Sequence, residues 1–97
     1  PPKILKTYPA NNGYYKGTDI KKIIINVDDN ISGIEAKEKS FSVKLDGKKL
    51  FCAYQPVKKQ ISYAFDRGLS AGEHQLEILV IDKAGNKTEE YVLFTCE

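Results

Sequence analysis

The chain has 97 residues, 41% of them hydrophobic and 29% charged, with a formal net charge of +2. Such a composition makes one globular domain with a modest core, neither disordered nor divisible into two. Its basic charge comes from fourteen lysines and one arginine, Arg67, interleaved with acidic residues. That excludes an arginine-rich nucleic-acid reader, and no apolar run approaches the roughly 20 residues of a bilayer span.

The opening Pro1-Pro2-Lys3-Ile4 reads as a linker running into a first strand, and the chain contains no methionine. Residues 1–97 are therefore expected to be a single domain excised from a larger protein. Ile4–Tyr8 reads as an edge strand stopped by Pro9 and the Asn11-Asn12-Gly13 turn, with Tyr14-Tyr15 as a short second edge segment. In Lys21–Val27, Ile23, Ile25 and Val27 point one way and Ile24 and Asn26 the other. Three adjacent isoleucines, stiff at χ1, favour strand over helix. The stretch from Gly33 to Lys39 is the one place a single helical turn is expected.

Phe41, Val43 and Leu45 form the inward row of the next strand. Asp46-Gly47 then turns the chain into a strand over Leu50–Tyr54, which Pro56 ends. Ile61, Tyr63 and Phe65 form another inward row before Arg67-Gly68. The longest row is His74, Leu76, Ile78 and Val80, and Asp82–Asn86 makes the hairpin into the last strand, Glu90–Cys96. Short alternating segments separated by turn signals at this spacing predict a seven-stranded antiparallel β-sandwich.

Two sets of residues carry a family resemblance. Leu69-x-x-Gly72-x-His74-x-Leu76, followed by Asp82-x-Ala84-Gly85-Asn86, resembles the closing strands of bacterial immunoglobulin-like and fibronectin-III-like modules. Asp28-Asp29-Asn30-Ile31-Ser32-Gly33-Ile34 and the Lys44–Lys48 hairpin are similar to the same group. The resemblance implies a non-catalytic accessory or spacer module of a secreted or surface-anchored bacterial protein. Such a module is extracytoplasmic and monomeric, and it contacts neighbouring domains of its chain or a protein or glycan ligand. The tryptophan of antibody cores is missing.

Little in the chain points to chemistry. His74, the only histidine, sits inward just after a turn, where bonding back to the turn backbone through one ring nitrogen is the favoured role. Asp28-x-Asn30-x-Ser32-Gly33 matches the first half of a calcium loop, but Lys39 stands where the bidentate glutamate belongs. Asp28, Asn30 and Ser32 are thus candidate metal ligands with a plain β-turn as the alternative. Asp82, Gly85 and Asn86 are expected to be turn residues. Tyr14 and Tyr15 are candidate ligand contacts, suited to a sugar face or a protein pocket, although alternation buries one of the two. Cys52 and Cys96 belong to no Cys-x-x-Cys pair; a disulfide and two free thiols are both open. Lacking a phosphate loop, a nucleophile elbow, a zinc motif or paired carboxylates, the chain is expected to be neither enzyme nor cofactor carrier.

Overall fold

The structure, a computed structural model, describes residues 3–28, 41–82 and 85–97. In chain order the strands are β1 (Ile4–Tyr8), β2 (Gly13–Tyr15), β3 (Lys22–Val27), β4 (Phe41–Leu45), β5 (Lys48–Leu50), β6 (Ala53–Gln55), β7 (Gln60–Ala64), β8 (Gly72–Ile81) and β9 (Lys87–Cys96). A short 3-10 turn, Gly17–Asp19, lies between β2 and β3. The period-two rows explain why these segments are strands. Ile23, Ile25 and Val27 of β3 are buried, as are Leu76, Ile78 and Val80 of β8 and Val92, Phe94 and Cys96 of β9. Their alternate neighbours face outward, so each strand gives one face to a shared core.

Two sheets enclose that core. One has the order β1-β3-β7-β6 and the other β2-β9-β8-β4-β5. With β1, β3, β7 and β6 taken as A, B, E and D, and β9, β8, β4 and β5 as G, F, C and C′, this is the immunoglobulin sandwich. The fold is therefore the expected all-β, immunoglobulin-like one. The described residues make nine strands rather than seven, because the short second edge segment at Tyr14-Tyr15 is a strand of its own and the single strand expected over Leu50–Tyr54 is divided between the sheets. The first segment pairs with β3 as β1, turns at the cis Tyr8–Pro9 bond, and joins the opposite sheet as β2. There β2 runs parallel to β9, with Gly13 opposite Phe94 and Tyr15 opposite Cys96, so the sandwich is not wholly antiparallel.

The expected strand over Leu50–Tyr54 is likewise two. Leu50 pairs with Val43 in one sheet and Ala53 with Ser62 in the other, so Phe51 and Cys52 bridge the layers. An alternating pattern specifies which face is apolar, and it is silent on which sheet a strand joins. In the row from Ile61, Tyr63 is only half-buried and Phe65 lies beyond β7. The helical turn expected within residues 33–39 lies outside the described residues.

The crossings also settle the cysteines, both of which are free thiols. Val43 lies opposite both Leu50 and Ile78, so Cys52 stands near the level of Val80, whereas Cys96 pairs with Gly72. Eight residues of strand separate those levels, roughly 27 Å, far beyond the reach of a disulfide. Burial pushes the Cys52 thiol up to about 11. Cys96 is also raised, by burial and then by the charge of Asp46.

At the Cys96 end the two connections that cross between the layers, the turn at Gly17–Asp19 and the loop from β7 to β8, are held together by a backbone contact. The Leu69 amide donates to the Gly17 carbonyl at 2.9 Å. A Cβ on Gly68 would sit 2.3 Å from that same oxygen, and one on Gly17 would sit 2.0 Å from the Leu69 oxygen. Neither glycine has a positive φ. What selects them is the lack of room.

Gly68→Ala should therefore lower the melting temperature, at a cost of about 2 kcal/mol or more, comparable to overpacking a core; urea denaturation measures this. Mass spectra of the native protein should be identical with and without reductant. Both thiols should alkylate readily at neutral pH only after unfolding.

Candidate functional site

The structure concentrates polar chemistry around His74. Its position in β8 points the ring inward, where it is 8% exposed and stacks on Phe94 with ring centres 5.5 Å apart. Nε2 lies 2.8 Å from the Ser70 carbonyl oxygen, which fastens the preceding turn to the strand. Nδ1 lies 2.6 Å from Asp46 Oδ2. The second oxygen of that carboxylate accepts the Gln75 amide at 2.9 Å, and the Asp46 amide donates to the Gln75 carbonyl at 2.8 Å. Asp46 and Gly47 both have positive φ, so the hairpin between β4 and β5 is a two-residue type I′ turn. Its aspartate serves as a clamp on β8 as well as a turn former.

Both ring nitrogens thus face atoms that only accept, a carbonyl and a carboxylate. Only the imidazolium donates to both. Burial by itself lowers the His74 pKa, but the Ser70 carbonyl, the Asp46 hydrogen bond and the Asp46 charge together outweigh it and raise the pKa. No lone pair is left for a metal or a substrate. Asp46 is the residue that sequence reasoning missed here. Its signal, an Asp-Gly hairpin, is fully explained locally, and its partner is 28 residues away.

The remaining candidates divide between structure and surface. Asp82 accepts the Asn86 amide at 2.9 Å and the Asn86 side-chain amide at 3.1 Å, and Gly85 takes φ +86°. These three residues make a closed turn. Asp28 accepts the Lys3 amide at 2.8 Å, while Asn30 and Ser32 lie outside the described residues. Tyr15 is turned inward: its ring packs edge-on to Tyr8 and Phe94, and its hydroxyl accepts the Ala10 amide. Tyr14 points the other way and is 68% exposed. The two tyrosines therefore do not form one contact surface.

Tyr14 has other company. Its partner Thr95 lies on the outer side of β9, the side that also carries Tyr91 and Leu93, 54% and 51% exposed. The run Tyr91-Val92-Leu93-Phe94 is apolar on both faces, a signal present in the sequence. Beside Tyr91 the outer face of the five-stranded sheet sinks into a shallow depression of about 120 Å³. Ser42, Lys44, Glu77, Leu79 and Glu89 line it with Tyr91.

No protein-family model and no curated protein matches the chain. Solved structures do. CopC from Methylosinus trichosporium OB3b is 14% identical, with a TM-score of 0.78 over 100% of this chain and 94% of its own. PcoC, a methionine-rich copper resistance protein from Escherichia coli, is 14% identical, with a TM-score of 0.69 over 99% and 98%. The fibronectin(III)-like modules of CbhA from Clostridium thermocellum are 16% identical, with a TM-score of 0.60 over 98% and 96%. At these identities the likeness is one of fold.

The residues do not fit a copper site of the kind a methionine-rich protein suggests. Cu(I) favours soft thioether and thiolate ligands. This chain has no methionine, its thiols are far apart, and its one imidazole is committed at both nitrogens. Among the described residues no group of three or more His, Cys, Asp or Glu is placed to hold a metal ion.

The raised pKa of His74 gives the domain a pH dependence with a definite sign. Protonation of the folded state is favoured, so this stabilisation is fully present below the unfolded histidine pKa of about 6.5 and is lost as pH rises through the higher folded value. Melting temperature should fall from about pH 6 to about pH 9. Asp46→Asn should flatten that slope and cost about 1 kcal/mol at pH 6, a modest figure because the carboxylate is half exposed and screened.

Proposed function

We propose that the chain is a non-catalytic module of the bacterial immunoglobulin-like or fibronectin-III-like kind. In this reading it works outside the cytoplasm as a monomeric unit of a larger polypeptide, setting the distance between its neighbours or contacting a protein partner. The observation that carries the reading is the path of the chain. Ile4 pairs with Val27 at one end of the sandwich, where the Lys3 carbonyl accepts the Asp28 amide. Glu97 follows Cys96 at the other, beside Tyr15, Gly17 and Gly72. The long axis is 40 Å and the other two are 22 and 21 Å. A unit entered at one end and left at the other separates its neighbours along its length, as a spacer requires.

The commitments of the polar residues support the same reading. His74 and Asp46 hold a corner, Asp82 and Asn86 hold a turn, and the thiols are covered and raised above their usual range. Fold likeness alone assigns no activity, since sandwiches host many. The matched CbhA structures are themselves described as modules, which accords with the proposal.

Exchange in the parent polypeptide tests it. Replacing residues 1–97 by an unrelated immunoglobulin-like module of equal length should leave the kcat of any catalytic neighbour unchanged on small soluble substrates. Loss of that kcat in a folded, length-matched chimera would place chemistry in this domain and overturn the proposal.

A further inference from the structure

We propose that the outer face of the five-stranded sheet is a binding platform for a neutral or amino-sugar oligosaccharide. This goes beyond the spacer reading, which stands or falls on the parent polypeptide and not on this surface. Strand register supplies the first argument. Tyr91 and Leu93 project from β9 to the outside, and Tyr14 joins them through its pairing with Thr95. The levels of Tyr91 and Tyr14 are four residue steps apart along the strand, roughly 14 Å. An exposed apolar strip that long, with tyrosines at both ends, suits a chain of pyranose rings. The C–H faces of such rings stack on aromatic side chains while their hydroxyls stay available for hydrogen bonds.

The depression beside Tyr91 supplies the second. Glu77 lies directly opposite Tyr91 and Lys44, and Leu79 lies opposite Glu89 and Ser42. Two carboxylates accept, the ammonium donates, and the serine and tyrosine hydroxyls do both, all around the apolar side chain of Leu79. A ligand matching this set carries many small groups that donate and accept, which describes a sugar better than a peptide segment. The volume of the depression is about 120 Å³. It is well below the 300 Å³ or so of drug-sized pockets, and suits one ring of a longer chain held on an open face.

Charge narrows the ligand class. The depression carries two glutamates against one lysine, a net charge of −1 among these residues. That balance disfavours uronate or sialic acid chains and accommodates neutral hexoses and amino sugars. The groove on the other sheet offers no comparable set. It is larger, about 280 Å³, but its lining of Lys6, Thr7, Tyr8, Ile24, Asn26 and Gln60 has no carboxylate, its one aromatic ring, Tyr8, is half-buried, and Asn26 and Gln60 are hydrogen-bonded to one another.

Amide-resolved NMR titration of the intact chain with chitotetraose, cellotetraose and tetragalacturonate decides the matter. Chitotetraose or cellotetraose should shift the amides of Glu77, Leu79, Glu89, Tyr91 and Leu93. Tetragalacturonate should not. Tyr91→Ala should weaken binding about tenfold with the melting temperature nearly unchanged, the loss expected for one exposed aromatic contact. Val57→Ala, a change at a residue 97% exposed in the turn after β6, should leave binding as it was. Absence of shifts at millimolar sugar would overturn the proposal. So would shifts confined to Tyr8, Ile24 and Gln60, equal binding of the acidic tetramer, or concentration-dependent shifts showing that this face pairs with a second copy of the chain.

Discussion

Alternation across a shared core is the constraint on which the structure depends. Each strand is pleated, so every residue that enters the core sends its neighbours out. Ile23, Ile25 and Val27 meet Leu76, Ile78 and Val80 across the sandwich, and the protein interior is too dense for a polar side chain to enter without partners. That rule leaves the outer faces and the loops as the only places where the sequence can vary its chemistry. It also explains why His74, the one buried polar residue among the described residues, is bonded at both ring nitrogens.

His74 links parts of the chain that the sheets alone would leave loosely joined. Its ring holds the turn at Ser70, the hairpin at Asp46 and, through stacking, Phe94 of β9. Three segments distant in sequence converge on one imidazole, and the convergence engages both of its ring nitrogens. A second set of contacts near the same end, between Gly17 and Leu69, depends on glycines and carries no side chain at all. The end of the sandwich near Cys96 is thus held by the bonds of one imidazole and by a group of backbone hydrogen bonds, among them those from the Leu69 amide to the Gly17 carbonyl and from the Glu97 amide to the Tyr15 carbonyl.

The inward rows were legible in the sequence because burial has a period, and the period survives whatever the strands pair with. The position of His74 after a turn was enough to suggest its bond to that turn, and Asp82, Gly85 and Asn86 were legible as a turn by their types alone. Pairing across sheets was not. Nothing in Ile4–Tyr15 marks that β1 and β2 belong to opposite layers, because both halves carry similar residues and an Asn-Gly turn fits either outcome. Asp46 was hidden for a related reason: a residue already explained by its own turn gives no hint of a distant partner. The outer strip was legible in part. Tyr14 stood out, but Tyr91 and Leu93 were read only as part of a last strand, although a run that is apolar on both faces exceeds what one core can bury.

The parallel pairing of β2 with β9 has a mechanical consequence. The chain enters at the Ile4 end and leaves at the Glu97 end, with β2 and β9 both running toward the exit. A pull on the two ends drags β2 back toward the Ile4 end and β9 toward the exit. The rungs between Gly13–Tyr15 and Phe94–Cys96 are then loaded together, in shear, rather than peeled one at a time. The three rungs of this short parallel patch therefore share a load applied along the long axis instead of taking it one after another.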